Sequence, residues 1–257
     1  MRLTPLVVGH LSVDVHTFFP KAPAGSSMEA PVVMWVLQHE GGTLLFDTGG
    51  SDVRHAHRMG HRHYRRAPSE EPVEKLRAIG VRPGDVDTVV LSHLHWDHAS
   101  NWRLFERADI LVAAAEVAYA ARPDPGHQVY FDFRSGPAPY WDPERFHLAE
   151  GEQTLTSRGD VRLVPLPGHT PGSQGLLIAS PVGPVLLPGD AVPLRENLRA
   201  PPTPNGIAVD HAALQRTLDG LGPEWTVFPS HEPSLEPFDR KNILSSAWWK
   251  DGAFQWS

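Results

Sequence analysis

The stretch Ser92-His93-Leu94-His95-Trp96-Asp97-His98 decides how this chain is read. It follows Thr88-Val89-Val90-Leu91, an apolar run rich in β-branched residues that predicts a short strand, so the histidines leave a strand end together. His93 and His95 are two residues apart. In extended backbone such side chains point to the same side, which brings both imidazoles to one ion. Asp97 and His98 come where the chain must turn toward a helix, and adjacent side chains there diverge to a second ion. Single histidines are common as surface or packed residues. An ordered His-x-His-x-Asp-His run is a ligand set.

Working outward, His169, Asp190 and His231 each lie just beyond a predicted strand, over 161–166, 185–187 and 225–228. Cysteine is absent, so thiolate ligation, a cysteine nucleophile and a disulfide framework are excluded. The nitrogen and carboxylate donors that remain suit two divalent transition-metal ions, zinc first, with cobalt, manganese or iron(II) as alternatives; magnesium and calcium favour all-oxygen sets. A water shared by two such ions becomes a nucleophile near neutral pH, while one ion polarises a carbonyl. The expected chemistry is hydrolysis.

The pattern also predicts strands over 3–19, 32–37, 43–46, 110–112 and 175–178, and helices over 72–79, 114–121, 210–218 and around 243–249, with a further helix running through Trp102 and Leu104. Two β-rich halves flanked by helices imply an α+β sandwich of two mixed β-sheets with outer helices, in one domain spanning 1–257. Residues 54–66 carry five arginines and four histidines with no acid between them and read as a solvated loop or flap, which keeps open an anionic substrate or acidic partner. Residues 122–144, rich in proline, glycine and aromatics, read as a long functional loop.

A net charge of -7 argues against an undirected nucleic-acid binder, whose phosphate partner calls for a basic face. No apolar run reaches the length of a membrane span, and Met1-Arg2-Leu3-Thr4-Pro5 lacks the apolar core of a secretory signal. The expectation is a cytoplasmic monomer or homodimer with a small-molecule substrate, bound to neither nucleic acid nor membrane.

The spacing of the ligands resembles the metallo-β-lactamase superfamily over nearly the whole chain, from the hairpin ending in Asp47-Thr48-Gly49 to His231. The resemblance implies that His93, His95 and His169 bind the first metal and Asp97, His98 and His231 the second, with Asp190 bridging both. It also places Asp47 beside the metal loop in support. Within the superfamily, Leu166-Pro167-Gly168-His169-Thr170-Pro171-Gly172-Ser173-Gln174 and Gly189-Asp190-Ala191-Val192-Pro193-Leu194-Arg195-Glu196-Asn197 look like the N-acyl-homoserine lactonases. That branch implies a quorum-quenching lactonase, with Asp97 and Asp190 as the catalytic carboxylates. Phosphotriester, phosphodiester or glyoxalase II-like thioester hydrolysis is the enzymatic alternative, and a metal-stabilised binding protein the non-enzymatic one.

One departure stands out. Those lactonases carry a tyrosine three residues after the bridging aspartate, where this chain has Pro193, which has no donor. Tyr64, Tyr130 and Tyr140 lie in the two segments expected to overhang the metals, and Tyr64 and Tyr140 are taken as the catalytic candidates. Met28, Phe131, Phe133, Tyr140 and Trp141 are the expected substrate wall, since flexible and aromatic side chains in long loops suit an acyl chain or ring. His10 and His16, with Asp14 between them, are further pocket candidates.

Overall fold

Val32-Val33-Met34-Trp35-Val36-Leu37 is apolar at every position, the pattern of a strand covered on both faces. In the computed structural model, which describes residues 1–131, 142–181, 183–235, 249–250 and 253–256, this run lies in strand β2 (Ser27–His39). Val33, Trp35 and Leu37 face one core and Val32, Met34 and Val36 another, as the two-residue period of a strand requires. Each such side chain contributes roughly 1.5–3 kcal/mol relative to exposure.

Around β2 the larger sheet takes in β1 (Arg2–Asp14) and β3 (Gly42–Phe46) as antiparallel neighbours. Beyond β3 it continues in parallel through β5 (Thr88–Val90), β6 (Asp109–Ala113) and β7 (Phe146–Ala149). The smaller sheet runs from β8 (Gln153–Thr154) through β9 (Val161–Pro165), β10 (Gln174–Ile178) and β11 (Val185–Leu187) to β12 (Thr226–Val227). Its last pair is parallel and the others antiparallel, so both sheets are mixed.

The middle core lies between the sheets, where Trp35, Phe46 and Val90 meet Leu163, Leu176 and Leu187. On the outer face of the large sheet, α2 (Pro72–Ala78) and α4 (Ala114–Ala121) cover Val36, Leu45, Val89 and Ile110. On the outer face of the small sheet, α5 (His211–Asp219) packs Leu214 and Leu218 on Leu166, Leu177 and Leu186. The expected two-sheet sandwich with outer helices is the architecture found.

Two local expectations change. The segment read as a loop or flap contains α1 (Val53–Arg58) and β4 (Tyr64–Arg65), and β4 pairs with β1. The Asp52 carboxylate accepts the His55 N–H at 2.9 Å and starts the helix, while Ala56 and His55 bury its inner face. Of the helix expected around 243–249, residues 243–248 lie outside those described; Trp249–Lys250 forms β13, paired with β14 (Ala253–Gln255), which extends the large sheet beside β1. The turn at Trp102–Leu104 is 3-10 rather than α. Among the described residues no helix is long and apolar enough to cross a membrane.

Candidate metal centre

The ligand candidates converge because every one of them follows a strand whose end reaches the same edge of the sandwich. His93 comes three residues after β5, His95 caps α3 (Trp96–Ala99), and Asp97 and His98 form its first turn. His169 follows β9, Asp190 sits in a 3-10 turn after β11, and His231 follows β12. All seven are buried. Their donor atoms fall into three groups, His93–His95–His169, His93–His98–Asp190 and Asp97–His98–His231, each with its atoms within 4.8 Å of one another.

Asp190 lies between the outer two groups. Its Oδ2 is 3.6 Å from His169 Nε2, and its Oδ1 is 3.2 Å from both His98 Nε2 and His231 Nε2. One carboxylate thus turns one oxygen to each side, as a bridge must. Asp97 Oδ2 stands 3.7 Å from His231 Nε2 and 3.8 Å from His98 Nε2.

Hydrogen bonds on the outer nitrogens fix which atom each ring presents. His98 Nδ1 donates to Asp47 Oδ2 at 2.8 Å, and His231 Nδ1 to the Pro31 carbonyl at 2.8 Å. His93 Nδ1 meets Ser92 Oγ at 2.9 Å, and that hydroxyl donates to Asp47 Oδ2. His169 Nδ1 lies 3.3 Å from Asn205 Oδ1, while Asn205 Nδ2 donates to the Asp190 carbonyl at 2.8 Å. Nε2 is left facing inward in all four rings. His95 is turned the other way: its Nδ1 lies 3.1 Å from His169 Nε2.

These donors fit divalent ions. The Nε2 atoms of His93, His98 and His231 are buried without a hydrogen-bond partner, and the contacts of His98 and His231 with Asp190 are close but not aligned as hydrogen bonds. Unpartnered buried polar atoms are costly, and three gathered around Asp97 and Asp190 fit a cation. Burial pushes the His93, His95 and His169 imidazoles below their ordinary range, which favours the neutral ligand form. Burial acts the same way on His98 and His231, but the nearby carboxylates, Asp190 foremost, outweigh it and raise both. Positive charge is wanted there.

Asp47 supports the site as expected. Its Oδ1 accepts the Ser92 N–H at 2.7 Å and its Oδ2 serves Ser92 and His98, from a backbone at φ 64° that a non-glycine residue rarely adopts. Phe131 is buried edge-on to His95 at 4.9 Å between ring centres, and Met28 is half-buried on the adjoining core. Tyr64 is a correction. It lies in the core with its ring edge-on to Trp96, its hydroxyl donates to the Val8 carbonyl at 3.2 Å, and burial pushes it up to about 12. Among the described residues, Tyr130 is the tyrosine beside the ligand candidates: its ring centre is 5.1 Å from that of His95, and its hydroxyl makes no hydrogen bond there. Tyr140, Phe133 and Trp141 lie outside the described residues. His16 and Asp14 pair with each other on the surface, and His10 Nδ1 sits 3.4 Å from Glu70.

Sequence reasoning missed several contributors. Phe18 stacks on the His231 ring at 4.7 Å, Ser230 donates to Asp190 Oδ1 at 2.6 Å, and His61 stacks on Trp96 at 4.2 Å while bonding the Val129 carbonyl. Ser230 and Ser92 could have been found by adjacency to a ligand; Phe18, His61 and Asn205 leave no local signal.

Residues 28–231 match the family described as the metallo-beta-lactamase superfamily. The chain belongs to that superfamily, in its N-acyl-homoserine-lactonase-like branch. It is 32% identical to the N-acyl homoserine lactonase AttM of Azorhizobium caulinodans, over 74% of this chain and 76% of that protein. With the N-acyl homoserine lactonase AiiB of Agrobacterium fabrum the identity is 29%, over 86% and 87% of the two chains. Among solved structures, an N-acyl homoserine lactone hydrolase with N-hexanoyl-L-homoserine bound at its catalytic metal center superposes with a TM-score of 0.75 at 22% identity, covering 91% of this chain and 94% of that one. At that identity the likeness establishes the fold of this superfamily member.

Proposed function

We propose that this protein is a binuclear metal-dependent hydrolase that opens the ester ring of a lactone, an N-acyl-homoserine lactone or a close relative. The observation that carries the reading is the placement of Asp190, one oxygen toward His169 and the other toward His98 and His231. The relatives named as N-acyl homoserine lactonases support the substrate class.

His93, His95 and His169 would hold one ion and Asp97, His98 and His231 the other, with Asp190 shared. Bound there, two such ions supply a hydroxide near neutral pH and an electrophilic pull on a carbonyl. The chain's own residues do the rest. Asp47, Asn205, Ser92 and the Pro31 carbonyl hold the outer ring protons, so the imidazoles cannot rotate away from the centre. Phe131 walls off His95 from solvent, and Tyr130 presents a phenol that burial keeps protonated, a donor for the carbonyl or departing ring oxygen.

The test is a side-by-side panel of kcat/KM on metal-replete enzyme, covering short-chain and long-chain acyl-homoserine lactones, an aromatic lactone, a cephalosporin, a glutathione thioester and a phosphotriester. Lactones are expected to lead. A thioester or phosphotriester ahead of every lactone by more than ~10-fold, a margin of about 1.4 kcal/mol in transition-state stabilisation, overturns the substrate assignment and leaves the metal centre standing.

A further inference from the structure

Helix α4 carries a single acid, Glu116, and that side chain is fully buried. A carboxyl group out of water is costly unless its oxygens find donors. Glu116 Oε1 accepts the Leu94 N–H at 2.9 Å, Oε2 accepts the Gly172 N–H at 3.2 Å, and the Thr170 side chain also bonds to the carboxyl group. Burial pushes the group up from its ordinary range, and these three donors act against that rise.

The partners are informative. Leu94 stands between His93 and His95, and Thr170 and Gly172 lie in the turn His169-Thr170-Pro171-Gly172. Glu116 therefore ties together the two loops that carry all three imidazoles of the first cluster. Gly172 makes the approach possible, since a Cβ there would lie 2.1 Å from the Glu116 backbone nitrogen. The second cluster is held by other means, through Asp47 on His98 and the Pro31 carbonyl on His231.

We propose that Glu116 is a positioning residue for the first metal site alone, setting the distance between the His93–His95 loop and the His169 loop. The proposal rests on the binuclear reading and goes beyond it, because it makes the affinities of the two ions separable by a residue that touches neither.

The experiment is a chelator titration of cobalt-loaded wild type, Glu116→Gln and Glu116→Ala, followed by visible absorption and by retained cobalt, without substrate. Glu116→Gln keeps the volume and one acceptor but turns an amide N–H against a backbone N–H, so it opens one contact without emptying the core. One ion is expected to leave this variant at a chelator concentration at least ~10-fold lower than in wild type, while the other leaves where it does in wild type and circular dichroism is unchanged. A parallel titration of His169→Ala, which removes a donor of the first cluster only, identifies the early ion. Glu116→Ala is expected to lose that ion outright; if it does not fold, the glutamine variant still decides. Equal weakening of both ions, or of neither, overturns the proposal. Wild type holding fewer than two ions overturns instead the binuclear reading beneath it.

Discussion

The floor of the site and its wall are built by different physics. On the floor, four of the five ligand imidazoles have their outer nitrogen tied to a carboxylate, hydroxyl, amide or backbone carbonyl. On the wall, Tyr130 and Phe131 rest against His95 through ring contacts, and a bond between His61 and the Val129 carbonyl joins that loop to the segment between α1 and β4. Directional bonds orient donors to within a fraction of an ångström, which metal chemistry demands. Ring contacts tolerate adjustment and suit a surface that selects a substrate by shape. On the proposed function, the floor would hold the ions and the wall would meet the substrate, with the Tyr130 hydroxyl as a donor within it.

The sharpest way to break this comparison is to damage the floor. Asp190→Asn, which removes the charge shared between the clusters, and His169→Ala, which opens the first, are each expected to cost at least ~100-fold in turnover with the fold retained. Near-wild-type rates at full metal occupancy would contradict the assignment of the bridge. The wall should respond more mildly and more selectively. Tyr130→Phe is expected to lose about 10-fold in kcat/KM for lactones, one hydrogen bond's worth, with metal content unchanged. Tyr64→Phe is the smallest effect and the control: about 1 kcal/mol of stability, the value of the bond to Val8, and no loss of turnover. If Tyr64 and Tyr130 exchanged these phenotypes, the placement of the two phenols relative to the centre would be wrong.

What could be read before folding follows the same division. Apolar runs such as 32–37 announce strands by composition, and the seven ligand candidates announce themselves because few residue types bind a divalent ion. Helix α1 was not legible, since six residues rich in histidine and arginine show no apolar period, and only the Asp52 cap marks its start. Glu116, Asn205 and Phe18 are ordinary residues whose partners lie far along the chain, at Gly172, His169 and His231. Glu116 left one faint trace, an acid alone on a small apolar helix. Tyr64 was an expected stand-in for the tyrosine missing at Pro193; the fold bonds Tyr64 to Val8 in the core and sets Tyr130 beside His95.

The central claim is that two ions act together across Asp190. Apo-protein prepared with a chelator should be inactive, and zinc, cobalt or manganese added back in measured amounts should restore turnover, with most of the activity arriving with the second equivalent and elemental analysis giving two ions per chain. Full activity at a single bound ion, with no gain from a second, would contradict the account.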